Sequence, residues 1–336
     1  MEKFDKRKKE IKLLIKILKK FEKSKITNLF LENDFLFKKS IKNNVVVLLY
    51  HEISDNPSEF HAKNNLNVTP DNFYKQLQFL KKNFNIINPK QLLSKNFQTP
   101  AAMITFDDGA QGYFKNGLSI LKELKLSSLH FLNMEPILGG LNWNGLTSYL
   151  LEKDNEFKYF NIKQKIKLSN IDKKTVNKFF KKNNKQKIIL KAQEYHGPWA
   201  TKEDLEKCED NELIFFGNHL YNHYNVRILS DDELIFQYKH NKKNIEKFKN
   251  FIEMFSYPYG QPNLFYTKYS NKIIGNLGAK KIFTANPLNY NINNFIINRL
   301  PIYNSLIRDE DLKKFILLPK YKNYLKKLLG LKEQLL

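Results

Sequence analysis

The sequence predicts an α/β fold on a parallel sheet, open or closed into a barrel, because short buried strands alternate with helices along it. Five short segments read as strands: Val45–Tyr50, Ala102–Phe106, Ser128–Leu132, Ile214–Phe216 and Met254–Tyr257. The first is a continuous apolar, β-branched run of strand length, which suits a strand covered on both faces. At 336 residues and 42% hydrophobic content, the chain can bury a large core, which excludes disorder as a description of the whole. Twelve glycines and 11 prolines exclude collagen-like and proline-rich scaffolds.

Taken in order, Val45–Tyr50 reads as a first buried strand. Thr69-Pro70-Asp71 then opens a helix, with Thr69 as N-cap, Pro70 at the first helical position, and Phe73, Leu77 and Leu80 on one face. Ala102–Phe106 is the second strand, Leu118–Leu124 a helix and Ser128–Leu132 the third strand. Ile214–Phe216 and Met254–Tyr257 follow as later strands, with a helix from about Asp231 to Phe248 between them. Residues 141–200 break the rhythm: they are rich in Lys and Asn and mostly helical in pattern, and read as an insertion. The expected organisation is a basic amphipathic extension over 1–40, a catalytic α/β domain over 41–310 and a basic helix over 311–336.

Formal charge is +23, from 57 basic and 34 acidic residues, which favours anionic partners. Residues 1–23 and 313–336 each carry +6 and have helical period. Either they dock on the fold by an apolar stripe, or they lie on an anionic membrane surface. No apolar run suits a signal peptide or a bilayer span, so the expected place is the cytoplasm, or peripherally the cytoplasmic face of a membrane. Cys208 is the single cysteine, so no internal disulfide forms.

The chemistry is concentrated after strands. Asp107-Asp108-Gly109 follows the second strand, and adjacent carboxylates there are costly unless something positive satisfies them. One can bind a cation while the other stays free to take a proton; a turn or helix cap uses the same residues. Gly217-Asn218-His219-Leu220-Tyr221-Asn222-His223 follows a later strand, and histidines at i and i+4 share a face of a helical turn and can reach one metal. One carboxylate with two imidazoles leaves metal positions open for water and substrate. Ser256-Tyr257-Pro258-Tyr259-Gly260 can wall a site and supply a backbone N–H.

Together these segments resemble the polysaccharide deacetylase family, the NodB-homology or carbohydrate esterase 4 group. Thr105-Phe106-Asp107-Asp108-Gly109 looks like its first motif, His219 to His223 its second and Pro258-Tyr259 its third. Leu48-Leu49-Tyr50-His51-Glu52-Ile53 looks like the opening strand of one branch, Val68-Thr69-Pro70 its first helix, and Trp199 to Leu205 the helix before the second motif. The resemblance spans roughly residues 45–300. It implies a distorted (β/α) barrel in which Asp108, His219 and His223 hold a divalent metal, usually zinc. It also implies that Asp107 is the general base for water attack on an N-acetyl carbonyl, and that the Tyr259 N–H steadies the oxyanion. The implied activity is metal-dependent removal of N-acetyl groups from a glycan, in bacterial surface-polysaccharide biosynthesis.

Three departures stand out. Ser256 and Tyr257 occupy the place where the family often has an arginine, Leu220 replaces a Ser or Thr, and no histidine follows His240 to act as the late general acid. Asn298-Arg299-Leu300-Pro301-Ile302 sits where that histidine is expected. His51 would open onto the same face as Asp107, where it could touch substrate, donate the proton, or merely support the structure. His61, His130, His196 and His240 carry no local pattern. The alternatives are an inactive carbohydrate- or lipid-binding protein on the same fold, or an anionic-polymer binder. Nucleic acid is not expected, since no recognised binding module is present.

Overall fold

Val45–Tyr50 (β1) is buried along its whole length, and so is Ala101–Phe106 (β5), its parallel neighbour. Both were legible as apolar runs because each face meets protein. In the computed structural model, which describes residues 33–164, 171–286 and 294–328, Ser128–Leu132 (β6) pairs with β5. Ile214–Asn218 (β7), Phe251–Ser256 (β8) and Lys281–Thr284 (β9) follow in turn, all parallel. The short strands Glu52–Ile53 (β2) and Asn67–Val68 (β3) pair with each other, and Asn85–Ile86 (β4) pairs with β5.

The sheet is brought round by one segment. Ile296–Asn298 (β10) pairs with β9, and Leu300–Pro301 (β11) pairs with β1. Residues 296–301 therefore join both ends of the sheet, with Arg299 between the two pairings. This is the distorted (β/α) barrel expected from the motifs. The five strands read from the sequence differ only at their limits, whereas β2–β4 and β9–β11, most of them only two or three residues long, were not read from it. β7 runs on to Asn218, β8 starts at Phe251 and stops at Ser256, and the helix after β7 ends at Ile245 instead of Phe248.

Strand periodicity separates two apolar layers. Val45, Val47, Met103, Leu129, Phe131, Phe215, Met254, Phe283 and Ile297 fill the barrel, whereas Val46, Leu48, Ala102 and Ile104 face the surrounding helices. The interior is tight at Gly217, where a Cβ would come within 2.6 Å of the Phe131 ring. Continuing the inward-facing parity past the strand ends reaches His51, Asp107, His219 and Arg299.

Of the helices between β6 and β7, Trp143–Glu152, Asn155–Gln164, Lys173–Phe180 and Lys185–His196 form an apolar cluster of their own around Leu146, Leu150, Phe157 and Phe179. Lys63–Glu152 and Lys153–Glu59 ion pairs tie the first of them to the helix Glu59–Lys63. At the C-terminal end a helix runs over Asp309–Leu328. The expected N-terminal amphipathic helix over 1–23 lies outside the described residues, as do the side chains beyond Pro319 on which the C-terminal apolar stripe rests. Cys208 is buried and unpaired, its thiol donating to the Asp204 carbonyl.

Glu52 is 8% exposed, and burial pushes its carboxyl up to about 7, opposed by a 3.4 Å contact from the Gly112 N–H. An acid whose pKa rises on folding is bound to its proton more tightly in the native state, so stability falls as pH rises from about 4.5 to about 7. Glu52→Gln is neutral throughout. Relative to wild type it should gain about 3 kcal/mol of stability between pH 5 and pH 8 in urea titrations, and a constant difference across that range would refute the assignment.

Candidate active site

The site stands on the C-terminal ends of the strands, where parallel α/β folds place their functional loops. After β5 the chain turns sharply at Asp108 (φ 75°) and Gly109 (φ 101°). Glycine is required at 109 because its φ is left-handed and a Cβ would press within 2.9 Å of Ile137. Asp107 is thereby left pointing into the barrel and Asp108 across its mouth.

His219 and His223 are not on a helix, contrary to the reading of their i, i+4 spacing. They occupy a loop in which Leu220 (φ 63°) and His223 (φ 61°) are left-handed. Side chains hold it there: Asn218 Oδ1 accepts from the Leu220 N–H, and the Asn133 amide donates to the carbonyls of His219 and Leu220. The folded loop nevertheless brings both imidazoles to one carboxylate. His219 Nε2 is 3.3 Å and His223 Nε2 3.2 Å from Asp108 Oδ1, and all three residues are buried.

This trio fits a metal on its own geometry. The His219 Nδ1–H donates to the Ser256 carbonyl at 2.8 Å, which leaves the Nε2 lone pair facing Asp108. Asp108 Oδ1 is buried with no hydrogen-bond donor, and the ligand atoms lie within 4.8 Å of one another. Two imidazole nitrogens converging on a buried carboxylate oxygen repel one another unless a proton or a cation lies between them. The imidazoles hold the Asp108 carboxyl well below the usual range despite its burial, and the two aspartates raise the pKa of His219 against the same burial penalty.

Asp107 has a different partner. Arg299 reaches it from the junction of β10 and β11, donating from Nη1 to Oδ1 at 2.7 Å and from Nη2 to Oδ2 at 2.6 Å. The guanidinium is fully buried. It also donates to Ser256 Oγ, Thr105 Oγ1 and the Thr284 carbonyl, and its carbon lies 5.3 Å from the Phe131 ring centre. Ser256 in turn donates to Asp107 Oδ2 at 3.3 Å. Burial alone would raise the Asp107 pKa, but the Arg299 charge outweighs it and holds the carboxyl below its ordinary value.

One sequence departure is thereby accounted for. Ser256 stands at the usual arginine position, and the guanidinium arrives instead from Arg299 in a different strand. No functional role for Arg299 was legible; the available signal was a lone arginine at an inward-facing position between two apolar strands, which demands a buried anion. His130, likewise without a local pattern, supports the site from below, its Nε2 meeting the Asp107 carbonyl oxygen at 3.1 Å.

The pocket over these groups has a volume of about 410 Å³ and is lined by His51, Asp107, Asp108, His219, His223 and Tyr259 among others. All six residues singled out from the sequence are therefore brought together. Burial lowers the His51 pKa, so its imidazole rests neutral at pH 7. Tyr259 has a left-handed φ of 62°, and its N–H has no main-chain acceptor among the described residues.

Against known families, the polysaccharide deacetylase model matches residues 94–282, more than half of the chain. The chain belongs to the polysaccharide deacetylase family. The match includes the Asp-Asp, His/His and Pro-Tyr segments, and it leaves out both His51 and Arg299, which join the site only through the fold. Solved structures of polysaccharide deacetylases share this barrel. The Streptococcus pyogenes deacetylase PplD, solved with acetate, is 18% identical, with 81% of this chain and 98% of that one covered at a TM-score of 0.55. IcaB from Ammonifex degensii is 17% identical, covering 81% and 97% at 0.53. A de-N-acetylase from Aggregatibacter actinomycetemcomitans is 15% identical, covering 81% and 100% at 0.53. No curated protein matches the sequence.

The Asp107–Arg299 pair makes a quantitative prediction. Arg299→Met leaves a buried carboxylate without its counter-charge and should cost about 3–5 kcal/mol in denaturant unfolding. Adding Asp107→Asn should recover a large part of that loss. Additive losses in the double variant would show that the two side chains are not coupled.

Proposed function

We propose that this polysaccharide deacetylase is a metal-dependent hydrolase that removes N-acetyl groups from a carbohydrate, with Asp108, His219 and His223 holding the ion. The observation that carries the reading is the donor-less Asp108 oxygen facing two imidazole nitrogens, directly beside an arginine-held Asp107. Zinc suits two neutral imidazoles and a carboxylate with positions left for water and substrate. When bound, such an ion supplies Lewis acidity, making water acidic and a carbonyl electrophilic.

Asp107 takes the proton of the attacking water. Its lowered pKa makes it a weak base, but one that is ionised, fixed in orientation by two guanidinium bonds, and sufficient for a water already made acidic. The Tyr259 N–H points its dipole at the charge that develops on the acetyl oxygen. His51 faces the same pocket, and we assign it to the leaving nitrogen. Its neutral imidazole takes up the proton that Asp107 received from the water and passes it on, a depressed pKa making the imidazolium so formed the stronger acid. Acetate and a free amine leave. The setting we infer is assembly of a bacterial surface polysaccharide at the cytoplasmic face of a membrane, supported by the two lysine-rich ends. Flotation with anionic vesicles tests it: no binding at low salt removes the membrane from the proposal.

Two sets of variants separate metal binding from catalysis. His219→Ala or His223→Ala should remove the metal, read by elemental analysis of purified protein, together with acetate release. Asp107→Asn should keep the metal and lose about 10²–10⁴-fold in turnover, since a carboxamide cannot accept the proton. Full metal content in a double-histidine variant, or near-normal turnover in Asp107→Asn, would overturn the corresponding role.

A further inference from the structure

The pocket does not end at the catalytic residues. A second cavity of about 500 Å³ adjoins it and shares Asn64, Asn144, Ser148, Tyr259 and Phe265 with it. One wall of this extension is the helix Trp143–Glu152, and Ile171 is also among the residues that line it. Room for one sugar is already present in the first cavity, so the continuous groove suits a longer glycan.

Beyond Ile171 the surface changes character. Lys173 opens the next helix, its ammonium 4.5 Å from the centre of the Tyr224 ring, which packs on Trp143. From there the helices Lys173–Phe180 and Lys185–His196 form a basic platform. Residues 171–196 contain eight lysines and only two carboxylates, Asp172 and Glu194, and all eight lysines are exposed. Asp172 is committed to capping its helix through the Thr175 N–H. None of the ion pairs formed among the described residues includes any of the eight. Like charges gathered without counter-ions destabilise the segment by repulsion and attract a polyanion.

We propose that this helical platform recognises a negatively charged glycan: the N-acetylated sugar sits over Asp107 and Asp108 while acidic sugars or phosphodiesters farther along the same chain run out of the groove onto the lysines. The proposal rests on the deacetylase reading and names the substrate class for it. A bilayer is the poorer fit, because surface-lying helices need a free apolar face. Here that face is spent internally: Val176, Phe179, Ile188, Ala192 and Tyr195 are buried in the apolar cluster they share with Leu146, Leu150 and Phe157, and Leu190 is the one large apolar side chain exposed on the platform.

The test uses the full-length protein and two probes of equal length, a neutral N-acetylglucosamine oligomer and a hyaluronan oligomer that alternates N-acetylglucosamine with glucuronate. Binding is read by calorimetry, which does not require turnover. At low salt the hyaluronan oligomer should bind about tenfold more tightly, and the advantage should vanish in about 1 M salt, where charges are screened beyond about 3 Å. The triple variant Lys178→Glu, Lys182→Glu, Lys187→Glu should abolish the advantage, and the corresponding glutamine variant should reduce it. Both should leave binding of the neutral oligomer unchanged, since these side chains lie outside the groove lining. Equal affinity for both oligomers, or an advantage that survives charge reversal, overturns the proposal. So does vesicle binding that falls in the triple variant while glycan discrimination stays intact, which would make the platform a membrane contact. If neither oligomer releases acetate but the charge-dependent preference is present, the deacetylase reading fails and the platform stands.

Discussion

A buried arginine–carboxylate pair organises the upper half of this barrel. Arg299 is fully enclosed, yet each of its donors finds an oxygen, two of them on Asp107. Desolvating both charges costs several kcal/mol per ion, which only near-ideal bidentate geometry and full hydrogen bonding can offset. The pair therefore constrains three places at once: the turn after β5, the end of β8 through Ser256, and the segment that joins β9 to β1. A misplacement of any one would leave a charge unpaired inside the barrel.

That constraint also sets the chemistry. The same guanidinium that permits burial keeps Asp107 ionised and oriented while making it a weak base. Next to it, Asp108 has no cationic side chain, only two imidazole nitrogens directed at an oxygen without a donor. Adjacent carboxylates thus acquire opposite requirements, one satisfied by protein and one calling for an ion. The left-handed turn at Asp108 and Gly109, directly after β5, is why the two neighbours meet such different surroundings.

The helices between β6 and β7 extend the site in space. They have their own apolar cluster and are tied to the barrel by ion pairs with the helix Glu59–Lys63. Their inner side walls a groove continuous with the catalytic pocket, and their outer side is unpaired lysine. Much of what distinguishes this deacetylase from a bare barrel resides in those residues, the part of the chain whose pattern fitted the strand–helix rhythm least.

The barrel and most of its site were legible in the sequence alone. Buried parallel strands are locally encoded as short, largely apolar segments, and Asp107, Asp108, His219, His223, His51 and Tyr259 all follow such segments closely, so reading strand ends was enough to collect them. Local pattern failed in two kinds of place. The spacing of His219 and His223 suggested a helical turn, whereas Asn218 and Asn133 hold a left-handed loop through contacts with elements distant in sequence. Arg299 lies 192 residues from Asp107, and nothing near either names the other. Only closure of the barrel decides that an arginine missing from one strand is supplied by another, because a buried charge selects its partner by distance in space and not by position along the chain.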